Sequence, residues 1–119
     1  MSIFVPLKEA PWAKFGAGTK TVEVRNAKSP VAAQVRKAKP GDEVRLRWGY
    51  GPHGGYGIRE FIGTLGRIWT ADNVRSLPVE ALIGANLDAR PDNYGWVDDP
   101  VLAFEVILPS AKQEVPDGK

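Results

Sequence analysis

The sequence contains no cysteine and a single histidine, His53. Without cysteine the chain can form no disulfide, no thiolate nucleophile and no zinc–cysteine cluster. One histidine also excludes a histidine-rich metal site and a histidine pair acting as general acid and base. A Mg²⁺ site made only of carboxylates is the metal site that composition leaves open, and the sequence predicts no cofactor.

Long hydrophobic runs are also lacking. No stretch approaches the roughly 18 apolar residues needed to cross a membrane, and residues 1–7 have too few apolar side chains for a signal peptide. We therefore expect a cytoplasmic protein that makes no membrane contact. The length of 119 residues suits one domain with a modest core. We expect a monomer with one domain at 1–109 and a flexible, polar tail at 110–119.

The chain is rich in turn-forming residues, with 13 glycines and 10 prolines, which indicates short elements and favours strands over helices. Alternating apolar residues predict strands at 3–7, 21–25, 43–48, 58–69 and 101–108, and helical spacing predicts short helices at 9–15 and 78–87. Pro6 favours an edge strand, while Gly63 and Gly66 favour bulges or bends. The helical spacing at 31–37 is weak, and we interpret that stretch as an irregular basic segment. A flexible glycine-rich loop is predicted at 49–57 and a turn-rich segment at 91–95.

This order of elements predicts an α+β, β-rich fold. About five strands with glycine-assisted bends are most economically closed into a small barrel, accompanied by two or three short helices.

The net charge of +2 conceals an asymmetry. Residues 1–60 contain 11 basic against 5 acidic side chains, whereas residues 61–119 contain 5 against 9. A basic half suits contact with a phosphate backbone, although a solvated basic surface is the alternative. The basic residues are concentrated at Lys28, Arg36, Lys37, Lys39, Arg45 and Arg47.

Residues 18–25 are the most informative segment, because they place three charged groups around a short strand. The pattern is Gly-x-Lys-x-x-Glu-x-Arg, formed by Gly18, Lys20, Glu23 and Arg25. Side chains alternate along a strand, so Glu23 and Arg25 share a face and Lys20 has the opposite parity. The three can therefore share a cleft only if the strand begins after Lys20 or twists there.

This pattern resembles the signature of the ASCH domain family, and the order of elements is similar over about residues 3–108. The resemblance implies a small PUA-like β-barrel and a role in RNA binding or in chemistry on RNA and modified nucleosides. Lys20 and Arg25 would then contact a phosphate or a base carbonyl, and Glu23 would orient them or accept a base amino proton.

Our first hypothesis is a module that binds RNA or a modified nucleoside. Its predicted contacts are the motif residues, the basic segment and two loop tyrosines suited to base stacking, namely Lys20, Glu23, Arg25, Arg36, Lys37, Lys39, Arg45, Arg47, Tyr50 and Tyr56. Trp48 and Trp69 are further aromatic candidates that more often belong to a core, and His53 is more often solvated than catalytic. Arg59 and Glu60 are expected to be outward strand charges.

The second hypothesis is an enzyme, since ASCH-like proteins include amidohydrolases acting on N4-acylated cytidine and ribonucleases. The catalytic candidates are Lys20, Glu23 and Glu80. Members with amidohydrolase activity have a threonine where this chain has Glu23. The negative charge of Glu23 disfavours the oxyanion that forms when an amide is hydrolysed. For a ribonuclease, Lys20 would have to act with Tyr50 or Tyr56.

Two readings without nucleic-acid chemistry remain open. The motif charges can instead form an ion-pair network that closes one end of the barrel. Alternatively, the aromatic loop residues can form a contact patch for another protein.

Overall fold

A computed structural model describes residues 1–48, 59–87 and 98–109. The strands are β1 (Ser2–Leu7), β2 (Val22–Asn26), β3 (Glu43–Trp48), β4 (Glu60–Ala71) and β5 (Val101–Ile107). The helices are α1 (Glu9–Ala17), α2 (Pro30–Lys37) and α3 (Val79–Ala85), with a 3₁₀ turn at Val74–Ser76. The predicted α+β, β-rich fold with five strands and short helices is therefore confirmed. The loop at 49–57, the segment at 91–95 and the tail at 110–119 lie outside the described residues.

One stretch differs from its prediction, because residues 31–37 form a regular helix and not an irregular segment. The Ser29 hydroxyl accepts a hydrogen bond from the Ala32 N–H, and Pro30 occupies the first turn. This combination is a strong helix start, since it satisfies an orphan donor and presets the backbone angle. Val31, Ala32 and Val35 are buried, which supplies the packing that the short helix needs.

The five strands form one curled sheet, a half-barrel with the order β1-β3-β4-β5-β2. The β1–β3 pair is parallel and the remaining pairs are antiparallel. β1 is an edge strand, as Pro6 predicted. Within the described strands no ladder joins β1 to β2, so side chains bridge these two edges where a closed barrel would have backbone hydrogen bonds.

Alternation along the strands divides the apolar residues between the two faces of the sheet. The concave face, closed by α1 and α2, holds a core that includes Val5, Phe15, Val35, Leu46 and Phe104. The convex face of β2 and β5 packs against α3 and the 3₁₀ turn through a second cluster, made of Val22, Val24, Val74, Leu77, Ala81, Ala85, Val101 and Ala103. β2 therefore has both faces covered, and its polar residues at Glu23 and Arg25 point into the half-barrel.

A bulge bends β4 where the sequence predicted one. The register with β5 shifts between Leu65 and Ile68, and the Glu105 carboxylate accepts the Arg67 backbone N–H at 3.1 Å. A Cβ on Gly66 would lie 2.5 Å from that carboxylate, so a side chain there would displace the Glu105 carboxylate. Gly63 instead pairs with Val44 in an unbroken register. Across the described residues, no helix has the length and apolar character that a membrane span requires.

Candidate functional site

The motif turn connects α1 to β2 and sets the position of Lys20. Gly18 ends α1 in a left-handed conformation with φ of 81°, which glycine adopts without strain. The next two backbone N–H groups, of Thr19 and Lys20, donate to the Lys14 carbonyl at 3.0 and 3.2 Å. β2 begins only at Val22. Lys20 therefore precedes the strand, and the alternation of side chains along β2 does not apply to it. The sequence analysis required this for the three charges to lie together.

The structure brings the three motif charges together with Glu23 at the centre. Lys20 Nζ lies 3.5 Å from Glu23 Oε1, and Arg25 Nε donates to Glu23 Oε2 at 2.6 Å. Lys20 and Glu23 are only 4% and 7% exposed. Arg25 also donates through Nη2 to the Pro6 carbonyl at 2.7 Å. The triad thus contributes one of the side-chain bridges between the edges β2 and β1.

Lys20 also binds the C-terminal end of α3. Its ammonium donates to the Ala85 carbonyl, and the Thr21 N–H donates to the Gly84 carbonyl at 2.8 Å. Lys14 Nζ donates to the Asn86 carbonyl at 2.9 Å. The last carbonyls of a helix lack intrahelical partners and carry partial negative charge, so ammonium groups stabilise them. The expected alternative, an ion-pair network of structural value, therefore has direct support from these contacts.

Lys20 is at the same time part of the wall of a cleft of about 880 Å³. The cleft lies between the end of α1, the start of β4 and the end of β5. Its walls are largely apolar and are formed by Phe15, Gly16, Ala17, Gly18, Lys20, Thr21, Glu60, Phe61, Ile62, Glu105, Val106, Ile107, Leu108 and Pro109. Glu23 and Arg25 are not among these residues. Only one of the three motif charges is thus placed to touch a molecule in the cleft.

Glu60, on the cleft wall, lies on the face of β4 that points away from the core, as predicted, but its carboxylate is enclosed. Its side chain is 9% exposed, and its carboxylate accepts hydrogen bonds from Arg45 and Arg47 at 2.8 and 3.0 Å. The hydrogen bond from Arg45 lowers the pKa of Glu60 below its ordinary value, and Arg47 adds to this effect. The same bond raises the pKa of Arg45. The sequence did not indicate that two arginines on the neighbouring strand would enclose the carboxylate.

Glu80, the third catalytic candidate, is not brought to Lys20. It lies in the first turn of α3, is 54% exposed and pairs with Arg67 at 3.7 Å. Lys20 contacts Ala85 at the opposite end of that helix, about 7.5 Å away along the axis at 1.5 Å per residue. The described residues contain no group of three or more His, Cys, Asp or Glu side chains that could hold a metal ion.

The remaining predicted contacts fall into two groups. Arg36, Lys37 and Lys39 are exposed on α2 and the turn that follows it, whereas Arg45 and Arg47 are bound to Glu60. Tyr50, Tyr56 and His53 lie outside the described residues. Trp69 packs against the second core cluster, in keeping with the interpretation that tryptophan at this position belongs to a core.

Sequence reasoning missed the aromatic wall of the cleft. Phe15 and Phe61 line it, and the Phe61 ring stacks on Trp12 with centroids 4.5 Å apart. Trp12 in turn lies 5.7 Å from Trp48, whose ring is covered by the Arg59 guanidinium at 4.4 Å. The spacing of Trp12 and Phe15 predicts an apolar helix face, but no signal in the sequence distinguishes a cleft wall from a core at Phe61.

No family model matches the sequence, and no curated protein is significantly similar to it. In fold, the chain is similar to the crystal structure of the hypothetical protein PH0355, with a TM-score of 0.61. The two chains are 18% identical, and the match covers 91% of this chain and 99% of the other. At this identity the likeness concerns the fold alone.

Proposed function

We propose that this protein is an ASCH-like domain that binds RNA or a modified nucleoside and takes one base into the cleft beside Lys20. The observation that carries the proposal is a nearly buried lysine, Lys20, on the wall of a largely apolar cleft that also contains aromatic residues. Ligand pockets of this kind combine apolar walls with a few fixed polar groups that orient the ligand. We also propose that the protein is a monomer located in the cytoplasm.

The cleft suits a flat heterocycle better than a phosphate group. Phe61, which is only partly buried, provides a ring surface for stacking, an interaction of about 1–3 kcal/mol per base in single-strand binders. Lys20 is a donor for a base carbonyl, and Glu105 offers one carboxylate oxygen, Oε2, that no described residue binds. Because Arg25 is held by Glu23 and Pro6, the expected phosphate contact by Arg25 is not part of the proposal.

The experiment is a binding titration of the common ribonucleosides and a short single-stranded RNA, followed by calorimetry and tryptophan fluorescence. Trp12 makes fluorescence informative, since it stacks on the cleft residue Phe61. Lys20→Met should weaken binding about tenfold or more, as a hydrogen bond to a charged group is worth roughly 1.5–3 kcal/mol. Lys14→Met is the matched control, because Lys14 also binds the end of α3 but does not line the cleft.

Two results would contradict the proposal. One is the absence of binding by the wild-type protein at low salt. The other is an equal loss in both lysine variants, which would assign the effect to the tether with α3 and not to the cleft.

A hydrolase is the second candidate function, favoured by the 3.5 Å separation of Lys20 and Glu23. In this reaction Lys20 would pass a proton to Glu23, take one from the attacking water as a neutral amine and deliver it to the departing amino group of cytidine, after which Glu23 would return the first proton to Lys20. Chromatography of a panel of N4-acylated cytidines tests this candidate, with Lys20→Ala as control. Release of free cytidine by the wild type alone would support hydrolysis, and equal release by both proteins would exclude it.

A further inference from the structure

Two arginines of β3 lie beside the strand that forms one wall of the cleft. Val44 and Leu46 point into the core, so the alternating residues Arg45 and Arg47 point to the opposite face. In the β3–β4 ladder Arg45 pairs with Ile62 and Arg47 pairs with Glu60. Both β4 partners line the cleft, so the two arginines lie on the strand next to the cleft wall.

Glu60 holds both guanidinium groups in place. Its Oε1 accepts from Arg45 Nε and Nη2 at 3.2 and 2.8 Å, and its Oε2 accepts from Arg47 Nε and Nη2 at 3.2 and 3.0 Å. Each carboxylate oxygen therefore receives two hydrogen bonds. Glu60 has no further acceptor capacity for a ligand, and its role at the cleft is to fix the arginines.

The arginines retain positive charge and donors after binding Glu60. Two guanidinium groups share one carboxylate, and the Nη1 of Arg47 has no hydrogen-bond partner among the described residues. The Nη1 of Arg45 faces Glu43 only at 3.9 Å. The Arg47 guanidinium also lies 5.0 Å from the centre of the Phe4 ring, which further restricts it. Fixed guanidinium groups with unused N–H donors match the geometry of phosphate oxygens.

We propose that Arg45 and Arg47 form a phosphate-binding rim of the cleft, so that its ligand is a phosphate-bearing nucleotide, free or within RNA, and not a bare nucleoside. This inference rests on the proposed function. The base enters beside Lys20, and its phosphate contacts the guanidinium groups that Glu60 fixes. The two arginines thereby have a role different from that of the exposed residues on α2, which can act only through general electrostatic attraction.

The experiment compares ribonucleosides with their 5′-monophosphates, inorganic phosphate and a short single-stranded RNA by calorimetry. The wild type should bind each monophosphate about tenfold or more tightly than its nucleoside. Arg45→Ala should reduce this preference, because it should weaken binding of each monophosphate much more than binding of its nucleoside. For RNA it should also lower the slope of log affinity against log salt by about one. Arg36→Ala, an exposed arginine on α2, is the control and should leave the preference intact.

A gain-of-affinity variant guards against loss through misfolding. Glu43 is a half-exposed acid beside Arg45, and Glu43→Gln removes its negative charge while leaving the bonds to Glu60. This variant should bind the monophosphates several-fold more tightly and the nucleosides as before.

The outcomes separate the two proposals. Wild-type protein that binds neither nucleosides nor RNA overturns the proposed function. Equal affinity for nucleoside and monophosphate overturns the phosphate rim and leaves the base cleft standing. Inorganic phosphate that binds as tightly as the monophosphate overturns the joint site, because the base would then add no affinity. An equal loss in Arg45→Ala and Arg36→Ala also overturns the rim.

Discussion

Glu23 is the acidic residue that two basic side chains share in the interior of the half-barrel. It is 7% exposed, and it contacts Lys20 at 3.5 Å and Arg25 at 2.6 Å. Removing the partner of a buried charge costs more than the pair itself is worth, because the remaining charge stays desolvated. Glu23 therefore determines whether the two cations can remain where the fold places them.

The first prediction concerns this shared carboxylate. Glu23→Ala should lower the free energy of unfolding by about 3–5 kcal/mol, as found for broken buried pairs. Glu80→Ala is the control, because its ion pair with Arg67 is half-exposed and such pairs contribute about 0–1 kcal/mol. Urea denaturation measures both changes. Similar losses in the two variants would show that Glu23 makes no special contribution.

The second prediction concerns Glu60 and pH. The hydrogen bond from Arg45 lowers the pKa of Glu60 from the ordinary value of 4.5. A lowered pKa in the folded state means that the stabilising contribution is complete above the unfolded-state value and is lost as the pH falls through the folded-state value. Glu60→Gln should therefore be less stable than wild type at neutral pH, and the difference should shrink below about pH 4.5. Urea denaturation across this pH range tests it, and a constant difference would contradict the prediction.

At the scale of elements, α3 approaches β2 so closely that a side chain at one position between them would displace its neighbours. A Cβ on Gly84 would lie 2.7 Å from Val22 Cγ2 and 2.8 Å from Thr21 Oγ1. The same contact carries the hydrogen bond from the Thr21 N–H to the Gly84 carbonyl. The short helix is thus held by its packing and by the motif turn more than by its own propensity.

The third prediction follows from this approach. In an isolated helix, alanine is preferred to glycine by about 1 kcal/mol. Here Gly84→Ala should instead destabilise the protein by about 1–3 kcal/mol, because the added methyl group displaces α3 from β2. Thermal unfolding followed by circular dichroism measures the sign directly. A raised melting temperature would mean that α3 shifts at little cost.

The helices and strands were predictable from sequence where a local residue pattern determines the structure. They were less predictable where contacts between residues distant in sequence determine it. Alternation in β3 and helical spacing in α1 reflect faces that the chain buries locally. The helix α2 was underestimated because its stability comes from Val31 and Val35 packing into a core formed mainly by strands. The enclosure of the Glu60 carboxylate was missed for the same reason, since the arginines that bind it are 13 and 15 residues away in sequence.

The candidate site was predictable to the extent that its residues are close in sequence. The turn at Gly18 indicated that Lys20, Glu23 and Arg25 could lie close together. No local pattern indicates that Lys20 binds the carbonyl of Ala85, 65 positions later. Nor does any local pattern indicate that Phe61 forms a wall of the cleft. Such contacts depend on the curvature of the whole sheet, which local patterns do not specify.

At the scale of the whole molecule, the open edges of the half-barrel are bridged by side chains. Arg25 of β2 donates to the Pro6 carbonyl of β1 at 2.7 Å. On the same edge, the Gln34 amide of α2 accepts the Phe4 N–H at 3.0 Å and donates to the Phe4 carbonyl at 3.3 Å. Unpaired strand edges otherwise invite association with other chains. These contacts therefore protect β1 without a closing ladder.

The fourth prediction tests this closure. Arg25→Ala should accelerate amide hydrogen exchange in β1 and β2 while leaving β4 and β5 nearly unchanged, because the inner strands keep both of their ladder partners. Gln34→Ala, as a comparison, removes the contact of β1 with α2 and should affect β1 but not β2. Exchange measured by mass spectrometry on short peptides resolves the strands. Uniform acceleration across all five strands in Arg25→Ala would instead mean that the residue stabilises the sheet as a whole and that the edges do not open separately.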